Sequence, residues 1–164
     1  MVEILTTFRE LIEHFQKAID AVQRKIEKAA PKLRPRGLGA LGFEEIRREV
    51  ADFGRFKNKK QPGGYVGLAG GVSASDKMKL DLPITKAGNR RLRAMLIETA
   101  WRWVFYQPQS KLVQRWSGVL LNPESHRRGR KRAIVAVARQ LFVDLWRWQT
   151  GRATPEQLGW VMTL

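Results

Sequence analysis

Apolar side chains follow a regular spacing through the first thirty residues of the chain. Residues 2–29 contain neither Gly nor Pro, and their apolar positions recur at alternating steps of three and four. Such spacing is the a/d pattern of a coiled coil, here held for three repeats. It predicts one long helix with a seam at Leu5, Phe8, Ile12, Phe15, Ile19, Val22 and Ile26. Two partners for that seam stay open: the helix's own domain, or a second helix in a coiled coil.

Shorter elements follow, because Pro31 and Pro35 stop the long helix. Weak alternation of apolar and polar residues predicts a short strand or β-hairpin within residues 72–85. The other predicted segments before it are a basic extended linker (33–36), a glycine turn (37–42), an acidic helix (43 to about 52) and a basic turn (55–64).

Helices dominate the rest of the pattern. Asn89 is a predicted N-cap, and Thr154 opens a capping box with Pro155 at the first helical position. The predicted helices run from 89 to about 107, from about 109 to 120, from about 131 to 149, and briefly from 154. The fold class is therefore mainly α: a coiled-coil-type helix (1–30) followed by a compact helical domain (31–164) with a short β-hairpin or loop insert.

Two Trp-Arg-Trp triplets lie in these helices. Residues i and i+2 of a helix point about 200° apart, so one Trp of each pair is expected off the core face. That Trp could stack on a base or cover a partner, but packing at the core and its boundary is favoured. The pairs are Trp101 with Trp103, and Trp146 with Trp148.

Composition narrows the choice of partner. The 164 residues hold 31 Lys and Arg against 15 Asp and Glu, a net charge of +16. Such a charge repels itself unless a polyanion neutralises it, so nucleic acid is the expected partner and a membrane surface the weaker alternative. The absence of Cys excludes a disulfide framework and a thiolate zinc site. No apolar run reaches the ~18 residues of a membrane span, and nothing at Met1 resembles a signal peptide. With nucleic acid favoured over a membrane surface, we expect a cytoplasmic protein and no membrane partner.

The densest basic cluster follows Asn122-Pro123. Five of the six residues from 127 to 132 are basic, which favours phosphate binding over a merely solvated loop. They are Arg127, Arg128, Arg130, Lys131 and Arg132.

A literal G-x-G-x-x-G occupies residues 37–42. A dinucleotide-binding turn requires a strand just before it, whereas Pro and Arg precede it here. Two interpretations remain: a turn that presents backbone N–H groups to a phosphate, or a plain connection between helices.

A series of motifs resembles one known family. In order, these are RREVADFGRF (47–56), YVGL (65–68), ITKAGNRRLR (84–93), ETAW (98–101), QP (107–108), RAIVAVARQL (132–141), DLWR (144–147) and TGR (150–152). The series resembles the C-terminal transposase domain of the DEDD-type insertion-sequence transposases of the IS110/IS1111 group, which are guided by a bridge RNA. The helix at 2–29 lies where that family has a coiled-coil linker.

This resemblance implies a domain that grips DNA and guide RNA and supplies a nucleophilic serine. Register with the family pattern assigns the serine to Ser75, with Ser73 as the fallback. Asp76 replaces the family's glycine, and its carboxylate would repel a scissile phosphate. Residues expected to bind nucleic acid nearby are Lys77, Lys79, Lys86, Asn89, Arg90, Arg91 and Arg93.

Family members begin with a RuvC-like domain whose acidic residues bind Mg²⁺, and no such constellation occurs in this sequence. We therefore expect no metal or cofactor in this chain, Mg²⁺ in the intact family enzyme, and a truncated transposase that is inactive alone. The expected partners are DNA, guide RNA and a second copy through residues 5–29. The alternative is a catalytically inactive module for nucleic-acid binding and dimerisation.

Overall fold

Helix α1 runs from Val2 to Ala29, the bounds that the apolar spacing predicts. The computed structural model describes residues 2–75 and 78–163, apart from the side chains of residues 2, 3, 72–75 and 78–83. Phe8 and Phe15 are 59% and 57% exposed, and the other seam residues up to Val22 are exposed as well. Toward the end of α1, Ile26 is partly buried and Ala30, which follows the helix, is buried, and α1 contacts α2. The seam from Leu5 to Val22 is therefore not packed on the described part of the chain.

The remaining elements confirm a mainly helical chain with a small β-hairpin. They are β1 (Arg34–Pro35), α2 (Ala40–Val50), a 3-10 turn (Phe53–Arg55), α3 (Lys60–Tyr65), β2 (Gly70–Ser75), β3 (Met78–Ile84), α4 (Arg90–Tyr106), α5 (Lys111–Leu120), α6 (Arg127–Gln149), α7 (Pro155–Leu158) and β4 (Met162–Thr163).

Helix α6 lies at the centre of the core and packs against α3, α4 and α5. Val137, Leu141 and Phe142 of α6 are completely buried, as are Leu96 and Trp103 of α4. Burying each such side chain stabilises the fold by roughly 1.5–3 kcal/mol. Within the described residues, no helix combines the length and apolar character needed to cross a bilayer.

Two small antiparallel sheets complete the fold. Strands β2 and β3 form the hairpin that the alternation predicts, with Gly70 opposite Ile84 and Ser75 opposite Met78. The second sheet pairs β1 with β4, so that Arg34 lies opposite Thr163. The linker predicted at 33–36 is thus partly a strand whose partner comes from the far end of the described chain.

The predicted helix caps are confirmed. The Asn89 side chain accepts a hydrogen bond from Leu92 N at 2.9 Å at the start of α4. Thr154 and Gln157 exchange the two hydrogen bonds of a capping box at the start of α7. Each cap satisfies an N–H group that has no partner within its helix.

The predicted basic turn at 55–64 contains a helix, α3. Pro62 is tolerated there because the first N–H groups of a helix have no intrahelical acceptor. The Asn58 side chain accepts from Lys60 N at 3.0 Å and Gln61 N at 3.3 Å, which caps the helix. Pro and Gly therefore mark the beginning of a helix here, not its absence.

Helix α6 begins at Arg127, about four residues before the predicted start. His126 caps it, since its Nδ1 accepts from Arg128 N at 3.2 Å. The basic cluster consequently forms the first turns of a helix and is not a loop.

The two tryptophan pairs behave differently. In α4, Trp103 is buried and Trp101 is 49% exposed, as the spacing predicts. In α6 the pair packs in the core and at its boundary, as favoured from the sequence, because the helix is covered on more than one side. Trp146 is buried, while the Trp148 ring packs 5.8 Å from the Phe43 ring, centroid to centroid.

Candidate nucleic-acid interface

The Lys-Ala-Gly-Asn motif forms a tight backbone crossing before α4. Asn89 N donates to Tyr65 O at 3.1 Å, and Lys86 N donates to Gly67 O at 3.1 Å. Gly67 and Gly88 both have positive φ, +67° and +138°, a region that favours glycine. The motif therefore anchors the base of the β2–β3 hairpin to the N-terminus of α4.

Several residues predicted to bind nucleic acid in this region make internal bonds. Besides capping α4, the Asn89 side chain donates from Nδ2 to Glu49 Oε2 at 2.6 Å. Arg93 Nη1 donates to Val66 O at 3.0 Å. Arg91 Nε donates to Glu45 Oε1 at 2.7 Å, although its side chain stays largely exposed. Lys86 and Arg90 are exposed, so among the described side chains of this group they are the two cations best placed for an external anion.

The predicted nucleophile lies at the far end of the hairpin. Ser75 is the last residue of β2 and pairs with Met78, and Lys79 lies opposite Ala74. Their side chains are outside the described set, as is that of Ser73, while Asp76 and Lys77 lie outside the described residues altogether. The structure thus gives the backbone position of Ser75 and leaves its catalytic role a prediction.

The basic cluster at the start of α6 divides into two groups. Arg130 reaches back, and its Nη2 donates to Asn122 O at 2.6 Å and Pro123 O at 2.8 Å, which fixes the turn between α5 and α6. The other four members are exposed: Arg127, Arg128, Lys131 and Arg132.

A groove of about 1390 Å³ lies between α3, α5 and α6, with Ile84 from the base of the hairpin on its wall. We call it the basic groove. Eight cationic side chains line it, and none of the described residues that line it is acidic: Lys59, Lys60, Arg115, Lys131, Arg132, Arg139, Arg147 and Arg152. Cations gathered in a concave surface repel one another and attract a polyanion.

Apolar and amide side chains form the floor of the basic groove. Trp116, Val135 and Val143 contribute apolar surface, and Gln140 contributes an amide. Gly63 of α3 makes room for one of the cations, since a Cβ there would lie 2.9 Å from Arg139 Nε. The groove therefore combines positive charge with surfaces against which a sugar or a base can pack.

One carboxylate lies beneath the groove. Asp144 is 6% exposed, accepts from Gln140 Nε2 at 2.9 Å and lies 3.4 Å from Arg147 Nη1. Burial raises the pKa of Asp144, against the hydrogen bond from Gln140 and the charge of Arg147, which lower it. Asp144 thereby orients two groove-lining side chains from below without entering the groove.

Only two of the eight groove cations, Lys131 and Arg132, are predicted from the sequence. Lys59 and Lys60 belong to the segment predicted as a basic turn (55–64), which was not predicted to bind nucleic acid. The remaining four are isolated positions of α5, α6 and the segment after α6: Arg115, Arg139, Arg147 and Arg152. One feature of the sequence does point to the groove: Arg132 and Arg139 are seven residues apart, which places them on the same face of α6.

The described part of the chain offers no metal site. No group of three or more His, Asp or Glu side chains there could hold a metal ion. Near the N-terminus of α4, Glu45 and Glu49 form ion pairs with Arg91. The described residues therefore do not fit a Mg²⁺ centre, and no step through Mg²⁺ is assigned to them.

Comparison with known proteins identifies similar sequences. Residues 34–115, half of the chain, match the model of the transposase IS116/IS110/IS902 family. A putative transposase, y4rJ, of Sinorhizobium fredii is 39% identical over 93 residues, covering 57% of this chain and 23% of its own length. A second from that organism, y4qE, is 30% identical over 136 residues, covering 68% of this chain and 33% of its own length.

A third relative matches along more of the chain. The transposase for insertion sequence element IS1111A of Coxiella burnetii is 27% identical over 147 residues, which is 88% of this chain and 39% of the relative. The chain thus spans about a quarter to two fifths of the length of these relatives. No solved structure matches.

Proposed function

Because the chain belongs to the IS116/IS110/IS902 transposase family, we propose that it is the DNA-binding, C-terminal region of an insertion-sequence transposase. The single observation that supports this most is the basic groove, with eight cations and no acid among its described lining residues. Nucleic-acid phosphates neutralise such a surface and release counterions as they bind.

The arrangement favours contact with the phosphate backbone. Arg132 and Arg139 project from one face of α6, and Lys59 and Lys60 line the same groove from the start of α3. Cations from two helices can contact successive phosphates of one strand, and such contacts position a nucleic acid without reading its sequence. Guide RNA, the second polyanion implied by the family resemblance, is proposed to bind through the same chemistry.

Salt-dependent binding tests the groove. The double variant Arg132→Gln/Arg139→Gln should weaken binding to duplexes of any sequence and reduce the slope of log K against log salt by about one for each phosphate that the variant no longer neutralises. The matched control is Arg47→Gln/Arg48→Gln, which removes the same charge from exposed positions of α2 outside the groove. If both variants weakened DNA binding equally, binding would depend only on the overall charge, and the proposal that DNA binds in the basic groove would be wrong. Displacement of bound DNA by a structured RNA would measure whether RNA binds in the same groove.

Within the intact enzyme, Ser75 is proposed as the nucleophile. Its hydroxyl oxygen would form a bond to a DNA phosphorus while the phosphorus bond to the leaving sugar oxygen breaks. The serine proton departs and the leaving oxygen gains one, so the phosphodiester is conserved as a phosphoserine linkage. Lys77 and Lys79, the cations next to Ser75 along the chain, are proposed to stabilise charge on that phosphate. Lys86 and Arg90, exposed at the base of the hairpin, would contact flanking phosphates of the same nucleic acid.

A fusion to the acidic amino-terminal domain of a family member tests the serine. Ser75→Ala should abolish the covalent protein–DNA adduct on a denaturing gel, and Ser73→Ala should retain it. Undiminished adduct from Ser75→Ala would overturn the assignment.

The non-catalytic alternative is supported by Asp76, which stands where the family has glycine. It predicts salt-sensitive binding without any adduct, even in the fusion.

Self-association through residues 5–29 is the remaining part of the proposal. Its support is the exposed seam of α1, which includes Leu5, Ile12 and Ile19 at 65%, 66% and 49% exposure. An apolar stripe of this length marks a protein interface. Light scattering should give a mass of at least twice the 18.9 kDa of one chain, and a monomer at high concentration would overturn self-association.

A further inference from the structure

The seam of α1 has a register that can be written out. With Leu5 at position a, the a positions are Leu5, Ile12, Ile19 and Ile26, and the d positions are Phe8, Phe15, Val22 and Ala29. The side chains from Leu5 to Val22 in this set are exposed, and Ala29 is exposed too. The two orientations of a helix pair match these positions differently, since parallel helices pair a with a and d with d, whereas antiparallel helices pair a with d.

We propose that α1 pairs with α1 of a second copy of this chain in an antiparallel coiled coil centred on residue 17. The inference rests on the self-association proposed above and adds its orientation and register. In this register the two residue numbers of each layer sum to 34. Leu5 faces Ala29, Phe8 faces Ile26, Ile12 faces Val22, and Phe15 faces Ile19.

Side-chain volumes favour this orientation. The antiparallel register places each Phe opposite an Ile, and the small Ala29 opposite Leu5. A parallel pair would place two Phe rings together at Phe8 and again at Phe15, and two methyl groups together at Ala29. Layers of large against small side chains interdigitate at near-constant helix separation, whereas uneven layers leave voids or strain.

Charge favours the same orientation. The first half of α1, residues 2–15, holds two more acidic than basic side chains, and the second half, residues 16–29, holds two more basic than acidic. Antiparallel pairing brings each acidic half beside a basic half, whereas parallel pairing brings like halves together. The helix dipoles also oppose one another in the antiparallel pair.

This arrangement fixes where the two basic grooves lie. Because α1 has 28 residues, it is about 42 Å long at 1.5 Å per residue. The domains that follow residue 29 would then leave the coiled coil at opposite ends, and the dimer would present two separated nucleic-acid surfaces. A parallel pair would place both domains at the same end.

Single-cysteine cross-linking tests the orientation, because the natural chain contains no Cys. Leu5→Cys and Ala29→Cys are prepared separately as full chains. After mild oxidation neither alone should give a disulfide dimer, since like positions lie about 36 Å apart along the axis. An equilibrated equimolar mixture of the two should give the dimer.

The matched control is Glu10→Cys mixed with Arg24→Cys. These positions also sum to 34 but lie on the outer face of the helix pair, so the mixture should not cross-link. Self-linking of Leu5→Cys would show a parallel pair and overturn the orientation while leaving self-association intact. A monomer by light scattering would overturn both, and DNA binding by the basic groove is measured independently of either result.

Discussion

Gly88 lies where two backbone segments cross too closely to admit a side chain. A Cβ at this position would lie 2.9 Å from Gly67 N and closer still to the Tyr65 carbonyl oxygen. Its φ of +138° is in addition one that other residues rarely adopt. The glycine of the Lys-Ala-Gly-Asn motif therefore has a backbone role that is complete without any ligand.

Replacing this glycine should destabilise the protein. Gly88→Ala combines a backbone clash with an unfavourable φ, and we expect a loss of roughly 2–4 kcal/mol in the free energy of unfolding, measured by urea denaturation. Gly118→Ala is the control, since Gly118 lies in α5 and a methyl group added there would meet nothing within 4 Å. It should stabilise the protein by about 0.5–1 kcal/mol. A Gly88→Ala variant as stable as the natural chain would contradict the crossing.

Elements differ in how far the sequence could predict them. The seam of α1 and the cap at Asn89 were predictable because each depends on neighbours within one turn. The basic groove was not, because Arg115, Arg139 and Arg152 meet only after α5 and α6 pack together. His126 is an uncommon N-cap and Gly129 an uncommon helix residue, so the sequence pattern places the start of α6 about four residues after the observed one.

The first turns of α6 carry an electrostatic conflict. A helix N-terminus has a partial positive charge and favours anions, yet the first turn of α6 contains no acidic residue and begins with Arg127 and Arg128. A bound phosphate would relieve both the dipole and the repulsion among the cations. The cluster thus makes α6 less stable alone than it would be beside nucleic acid.

Reversing one of these charges should stabilise the folded protein and at the same time weaken its binding to DNA. Arg128→Glu should raise the free energy of unfolding by about 0.5–1 kcal/mol at low salt, with the gain shrinking at about 1 M salt, and should weaken DNA binding. Arg48→Glu is the matched control, since it makes the same change of charge in the last turn of α2 and breaks an ion pair with Glu44. It should lower stability. If both variants changed stability in the same direction, the dipole argument would fail.

At the scale of the whole molecule, Gln107 joins the two ends of the helical domain. Its Nε2 donates to Arg36 O at 2.8 Å and to Val161 O at 2.7 Å, while its Oε1 accepts from Val161 N at 2.8 Å. The side chain is 1% exposed. These partners lie 71 and 54 residues away in the sequence, so no local pattern could have revealed the role of the Gln-Pro motif. The pairing of β1 with β4 depends on the same junction, because Arg36 and Val161 directly adjoin it.

Truncating Gln107 should therefore loosen the domain where its ends meet. Gln107→Ala removes the partner of Arg36 O and of Val161 N, whereas Val161 O keeps a hydrogen bond from Arg36 N at 2.8 Å. Each unsatisfied group costs about 1–3 kcal/mol. We expect a loss of about 2–4 kcal/mol in the free energy of unfolding. The amide hydrogen of Val161, which donates to Gln107 Oε1, should exchange faster than in the natural chain. The exposed neighbour Gln109 provides the control, and Gln109→Ala should change stability by less than about 0.5 kcal/mol. A loss below about 1 kcal/mol in Gln107→Ala, with unchanged exchange at Val161, would mean that the β1–β4 sheet closes the domain without Gln107.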